Sequence, residues 1–285
     1  MKILSLFFIY TVLVLAQWSN DPSINTPVAI APDDQGDIFC AADESDGVIC
    51  TWVDWRNSGL NNRDIYAQKI DKYGNIKWGA GGIAVCNASG TQIGAVCISD
   101  GEGGAIFFWS DSRVQNALDI YAQRIDSMGN AQWMTDGIPI CTANGVQKEL
   151  CITADGNNAI LVWQDYRSGE YDIYAQKVSS QGTIFWNPAG LPVCTATGRQ
   201  IDPVIIPDGS GGAIISWDDE RFGDLDIYAQ KIDMNGGTMW TLDGISVCST
   251  NNEQFYNQAT SDGNGGAIIV WSDYRNDPDY TNQKT

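Results

Sequence analysis

Short apolar runs recur along the chain, separated by Gly, Asn and Asp, and no stretch sustains the 3.6-residue apolar period of a helix. The run Ala159-Ile-Leu-Val-Trp163 is the clearest example. So continuous a run predicts a strand covered on both faces, near the centre of its own sheet and sandwiched between neighbouring ones. Upstream, Gln147 to Thr153 predicts a first strand, and Asp155-Gly-Asn-Asn158 predicts a tight turn whose Asp-Gly pair accepts positive φ. Downstream, Asp172 to Val178 is β-branched and aromatic and predicts a third strand. Gln181-Gly182 then turns the chain into a fourth strand expected around Thr183 to Trp186, and Gly190-Leu-Pro-Val-Cys194 closes the unit.

This unit repeats. Trp-x-Asp-x-Arg occurs at Trp52/Asp54/Arg56, Trp109/Asp111/Arg113, Trp163/Asp165/Arg167, Trp217/Asp219/Arg221 and Trp271/Asp273/Arg275, with Trp-to-Trp spacings of 57, 54, 54 and 54. Asp-Ile-Tyr-Ala-Gln follows at Asp64, Asp119, Asp172 and Asp226, and a worn copy runs from Asp279 to Gln283. Four strands per unit at a period a little above roughly 40 to 50 residues is the mark of propeller blades rather than of helical solenoids. The expected fold is all-β, a five-bladed β-propeller of four-stranded blades centred on those five tryptophans. A further tryptophan recurs at Trp78, Trp133, Trp186 and Trp240, and Trp18 stands 34 residues before Trp52. The expected closure follows: the segment from Gln17 to Ser19 joins the C-terminal blade beside Asp279 to Gln283, leaving no open edge. A fragment of a longer array is the competing reading.

The first residues set the expected compartment. Lys2 precedes an apolar run from Ile3 to Leu15, and Val14-Leu-Ala16 is a small-residue cleavage pattern, so residues 1–16 are read as a signal peptide and 17–285 as one propeller domain. A secreted or cell-surface monomer without membrane insertion is expected, because the run is short of the roughly 20 residues a spanning helix needs. Asp and Glu outnumber Lys and Arg 35 to 16, which disfavours nucleic acid and anionic lipid and favours a glycan or a cell-surface protein as partner. The chain has no histidine, so Ser-His-Asp and Cys-His catalysis and His-ligated metal sites are excluded. No cofactor and no metal are expected.

The repeated array Trp-x-Asp-x-Arg, Asp-Ile-Tyr-Ala-Gln, Gly, Trp, Gly-Ile-x-Val resembles tandem propeller-type repeats of secreted bacterial surface proteins, often seen beside adhesion modules and C-terminal sorting domains. The resemblance covers nearly the whole chain after residue 16. It implies no catalytic residues.

The repeated Asp and Arg residues read as structural, since Arg two positions after Asp can form a bidentate pair that pins a loop. The five tryptophans that end the apolar strands read as core. Trp55 occupies a slot held elsewhere by Ser112, Tyr166, Glu220 and Tyr274, so Trp55, Tyr166 and Tyr274 are the expected exposed aromatics for stacking on a ligand. The turns at Asp100–Gly104, Asp208–Gly212 and Asp262–Gly266 lack the carboxylate spacing of an EF-hand and read as hairpins. Cys40, Cys97 and Cys151 align with Ile205 and Ala259, and Cys86, Cys141, Cys194 and Cys248 with Ala29, which reads as apolar slots; disulfides Cys86–Cys97 and Cys141–Cys151 are the alternative. The leading expectation is an extracellular binding or adhesion module with several similar sites for a glycan or protein. The alternatives are a glycoside hydrolase or lyase with carboxylate catalysis, drawing on Glu149, Glu170, Asp202, Asp224 and Glu253, and a structural spacer.

Overall fold

The computed structural model describes Ser23 and residues 25–57, 62–114 and 117–277. Each repeat forms one antiparallel sheet with its strands in sequence order. The first sheet comprises β1 (Gln35–Ala42), β2 (Val48–Asp54), β3 (Asp64–Ile70) and β4 (Ile83–Cys86); the second β5 (Gln92–Ser99), β6 (Ala105–Asp111), β7 (Asp119–Ile125) and β8 (Ile138–Cys141). The third holds β9 (Gln147–Asp155), β10 (Asn158–Asp165), β11 (Asp172–Ser179) and β12 (Leu191–Cys194); the fourth β13 (Gln200–Pro207), β14 (Ala213–Asp219), β15 (Asp226–Ile232) and β16 (Ile245–Cys248). A hairpin of β17 (Gln254–Ser261) and β18 (Ala267–Asp273) follows.

The second strand of each sheet is central and apolar because both its faces are covered by neighbours. Ile49 and Val53 of β2 share a core with Phe107 and Trp109 of β6. Ile106 and Phe108 pack on Leu161 and Trp163, and Ile160 and Val162 on Ile215 and Trp217. The sheets therefore stack face to face, alternate residues of one strand serving alternate neighbours. The Gly before each fourth strand lies against the strand-two Trp of its own sheet: Gly190 has φ +89°, and a Cβ there would lie 2.6 Å from the Trp163 ring.

The expected closed ring of five four-stranded blades is met in part. Four complete sheets and one hairpin are present among the described residues, and a closed ring is not seen. On β18, Ile268 and Val270 are 55% and 60% exposed, whereas their counterparts Ile106 and Phe108 are buried. The closing strand at Gln17 to Ser19 and its partner at Asp279 to Gln283 lie outside the described residues, as does the signal peptide at 1–16.

Three sequence expectations need correction. The fourth strand of the third sheet is Leu191–Cys194, not Thr183 to Trp186, which contributes only an isolated bridge from Val178 to Ile184. Trp186 instead wedges against the next sheet, its ring 3.1 Å from where a Cβ on Gly236 would stand. Cys151 pairs with Val162, the register position of Val96 and Val204, and Ile152 takes the place of Cys97 and Ile205. The cause is a third-sheet hairpin turn one residue shorter than Asp100–Gly104. Finally, Cys86, Cys97, Cys141 and Cys151 are free thiols, and the disulfide joins Cys40 to Cys50 across β1 and β2, where the two residues pair in register. Burial pushes the Cys86 and Cys97 thiols up to about 12.

Candidate functional site

The Trp-x-Asp-x-Arg motif forms a buried clamp. In the fourth sheet the Trp217 indole donates to Asp219 Oδ2 at 2.7 Å, and Arg221 donates through its backbone N and Nε to Asp219 Oδ1 at 3.0 and 2.8 Å. The same guanidinium lies 3.9 Å from the Tyr228 ring centroid and donates to Cys194 Sγ of the preceding sheet at 3.3 Å. Asp54/Arg56, Asp111/Arg113 and Asp165/Arg167 repeat the Trp–Asp–Arg contact with each Asp fully buried, although Arg56 reaches the Gly81 carbonyl where the others reach a Cys. Asp273/Arg275 repeats it in a more open setting. These groups are spent on one another, so they are not available to a ligand.

A different set of residues breaks the repeat. Each innermost strand begins with a Gln (Gln35, Gln92, Gln147, Gln200, Gln254), and its pairing register then slips. The residue two after each Gln is left-handed: Asp37 (φ 50°), Gly94 (φ 62°), Glu149 (φ 53°), Asp202 (φ 52°) and Tyr256 (φ 58°). A β-bulge re-aims such a residue out of the strand, and a bulky residue held at positive φ is strained enough to suggest a role. Because β1, β5, β9, β13 and β17 neighbour one another in that order, the bulges gather on the inner side of the sheets. Glu149, Asp202 and Tyr256 line one inner cavity of about 390 Å³, and Asp37, Gly94 and Glu149 line another of about 220 Å³. Glu149 borders both.

In three sheets the residue after the strand-ending Trp ties its sheet to the innermost strand of the next. Ser110 Oγ donates to the Gln147 carbonyl at 3.0 Å, and Gln164 Nε2 donates to Asp202 Oδ1 at 3.3 Å. Asp218 accepts from the Tyr256 backbone N at 2.9 Å and from Asn257 Nδ2 at 2.8 Å. Asn257 Nδ2 also donates to the Asp202 carbonyl at 3.0 Å, and Ser216 Oγ donates to Asn257 Oδ1 at 2.6 Å. Burial pushes the Asp218 carboxyl up to about 6, with the nearby Asp202 adding to the rise, against the hydrogen bonds from Asn257 and Tyr256 that lower it.

Of the five carboxylates expected from sequence, the structure brings Glu149 and Asp202 to one cavity. Glu170 is spent on a loop, accepting from the Gly198 backbone N at 2.9 Å. Asp224 lines a separate cleft beside Asp226, and Glu253 precedes β17, where its carbonyl accepts from the Tyr274 backbone N. Of the three expected aromatics, Tyr166 is exposed and tilts against Tyr171 at 5.0 Å. Trp55 instead packs half-buried on the first core, and Tyr274 stacks on Phe255 at 5.2 Å. Asp37, Gln164, Asp218 and Tyr256 were missed. The available signal was the variable position two residues after each repeated Gln.

No family model matches the chain, and no curated protein matches it. Among solved structures it is similar to a Penicillium chrysogenum α-L-arabinanase complexed with arabinobiose, at 12% identity and TM-score 0.50, covering 86% of this chain and 77% of that one. A Dyadobacter fermentans protein of unknown function is similar at 10% identity and TM-score 0.51, with 86% and 77% covered. An endo-arabinase from Bacteroides thetaiotaomicron is similar at 16% identity and TM-score 0.44, with 86% and 91% covered. This likeness is one of fold. It counts against the expectation of an adhesion module: the similar Penicillium fold is named as an arabinanase, and the five bulge positions carry four residue types, Asp, Gly, Glu and Tyr, rather than the equal side chains of a multivalent binder.

Proposed function

We propose that the chain is a glycoside hydrolase whose acid and base are Glu149 and Asp202. The observation that carries this reading is the placement of two carboxylates, from non-identical bulges of adjacent sheets, on one cavity of about 390 Å³. Glycosidic cleavage needs one carboxyl group to protonate the departing oxygen and a second to attack the anomeric carbon or activate water. Asp202 accepts the Gln164 hydrogen bond, which holds its carboxyl group in place for the second role; Glu149 takes the first. Tyr256, 68% exposed at the same cavity, supplies an aromatic face for a sugar ring.

The reading takes the five sheets as blades of one closed ring in an exported protein, with the exposed face of β18 covered by closure. The partner is a neutral glycan, because a net charge of −19 repels uronates. Arabino-oligosaccharides are the first substrates to try, after the arabinobiose bound in the similar Penicillium fold. The test is release of reducing sugar from arabino-, xylo- and manno-oligosaccharides by the full chain, Glu149→Gln and Asp202→Asn. The expected outcome is hydrolysis of one series, lost by a factor of about 10³ or more in each variant. Hydrolysis that survives both substitutions, or none on any series, overturns the assignment.

A further inference from the structure

Away from the inner cavities, two equivalent clefts lie in the second and fourth sheets, each between the loop after the second strand and the loop after the fourth. Both hold the Asp that opens the third strand. That Asp is buried in all four complete sheets, at 1%, 6%, 4% and 5% exposure for Asp64, Asp119, Asp172 and Asp226. Its neighbours differ. In the first sheet Asn57 Nδ2 donates to Asp64 Oδ2 at 3.1 Å, and in the third Ser168 reaches Asp172. Asn57 and Ser168 stand five residues after their tryptophans, where the second and fourth sheets carry Val114 and Phe222. Among the described residues no hydrogen-bond donor to the side chain of Asp226 is found, and Asp226 lines the open cleft.

A buried carboxylate without a hydrogen bond or counter-charge is costly. Arg221, whose charge acts on Asp226, is committed to Asp219. The fourth-sheet cleft, of about 280 Å³, is also lined by a second carboxylate residue, Asp224, and by the oxygen-bearing residues Ser249, Thr250 and Asn251. The second-sheet cleft has Ala117 where Asp224 stands, and the third has Glu170, which is turned onto Gly198. Among the described residues, the fourth sheet is where a buried carboxylate without a hydrogen bond, Asp226, meets a second carboxylate residue and neutral oxygen-bearing residues around one open space.

We propose that the cleft formed by Asp224, Asp226, Ser249, Thr250 and Asn251 binds one calcium ion. The donors are all hard oxygens in an irregular arrangement, which suits Ca²⁺ better than Mg²⁺ with its strict octahedron. Two carboxylates with neutral oxygens and water correspond to a dissociation constant on the order of 10⁻⁴ to 10⁻³ M. The inference replaces the sequence expectation of no metal and is independent of the hydrolase reading.

The test is calorimetric titration of the chelator-stripped full chain with Ca²⁺, alongside melting curves with and without about 10 mM Ca²⁺ and a parallel Mg²⁺ titration. One saturable Ca²⁺ site is expected, with a melting temperature raised by a few degrees and Mg²⁺ bound at least tenfold more weakly. Asp226→Asn should abolish binding while folding normally, because it removes an unpaired charge. Asp224→Asn should weaken binding tenfold or more, and Ala117→Asp should raise the stoichiometry to two by completing the second-sheet cleft. No saturable Ca²⁺ binding by the unsubstituted chain, or full binding by Asp226→Asn, overturns the proposal.

Discussion

Gln164 Nε2 donates to Asp202 Oδ1 at 3.3 Å across the seam between the third and fourth sheets. Gln164 is itself buried at the end of β10, so its amide is held by the packing around Trp163 and cannot follow a wandering carboxylate. The strained bulge places the Asp202 backbone, and the neighbouring sheet aims its side chain.

The first prediction follows from that relationship. A hydrogen bond to a charged group contributes about 1.5 to 3 kcal/mol. Gln164→Ala should lower kcat on the active oligosaccharide about tenfold or more with KM changed less than threefold, a split that a loss of stability alone would not produce. A variant with unaltered kcat would remove Gln164 from any positioning role.

The clamps should differ in energy according to exposure. Asp219 is fully buried and holds both Trp217 and Arg221, so Asp219→Ala strands an arginine and an indole and should cost about 3 to 5 kcal/mol. Asp273 and Arg275 are partly open to solvent, at 24% and 41% side-chain exposure, and Asp273→Ala should cost no more than about 1 kcal/mol. Urea unfolding of the two variants decides it, and equal losses would contradict the structural ranking.

Much of the fold was legible because its causes are local. The Asp-Gly and Gly-Gly turns and the apolar second strands are written in neighbouring residues, and β9, β10 and β11 lie where those signals put them. The fourth strand was misplaced because Leu191-Pro-Val-Cys194 is an outer strand, where a proline is tolerated, while the Trp186 segment that resembles a strand owes its burial to the next sheet. The inner site was half legible. Glu149 and Asp202 stood out as carboxylates outside the repeat, but a bulge leaves no residue signature when Asp, Gly, Glu, Asp and Tyr occupy it in turn. Asp218 and Gln164 act across sheet boundaries, and no spacing along the chain announces that.

Asp218 should leave a mark on the pH dependence of stability. Its ordinary value is 3.8, and in the folded chain it is pushed up to about 6, chiefly by burial. The native state therefore holds this proton more tightly than the unfolded chain does. Its stabilising contribution is full below pH 3.8, declines as the pH rises, and is gone above about pH 6. Asp218→Asn stays neutral throughout, so its melting temperature should rise relative to the parent between about pH 4 and pH 7. Asp226 titrates in the same range in both proteins and cancels in the difference. A difference that does not change with pH would show that Asp218 does not titrate there.

The last prediction concerns the face of β18. Ile106, Ile160 and Ile214 occupy one register position in three successive sheets, each at most 2% exposed because the next sheet covers it. Ile268 occupies the same position in β18 and is 55% exposed, with Val270 beside it at 60%. An open apolar edge of this kind invites association and aggregation, which a closed ring avoids. If the ring closes as proposed, Ile268 is a core residue of the fifth seam, and Ile268→Ala should cost about 2 to 5 kcal/mol, the same as Ile160→Ala. If the face is open in solution, truncation removes little buried area, and the cost should stay within about 0.5 kcal/mol. Parallel denaturant unfolding of the two variants separates these cases. A near-zero loss at Ile268 beside a large one at Ile160 would rule out the closed ring, while leaving the Glu149 and Asp202 cavity, which rests on the third, fourth and fifth sheets, unaffected.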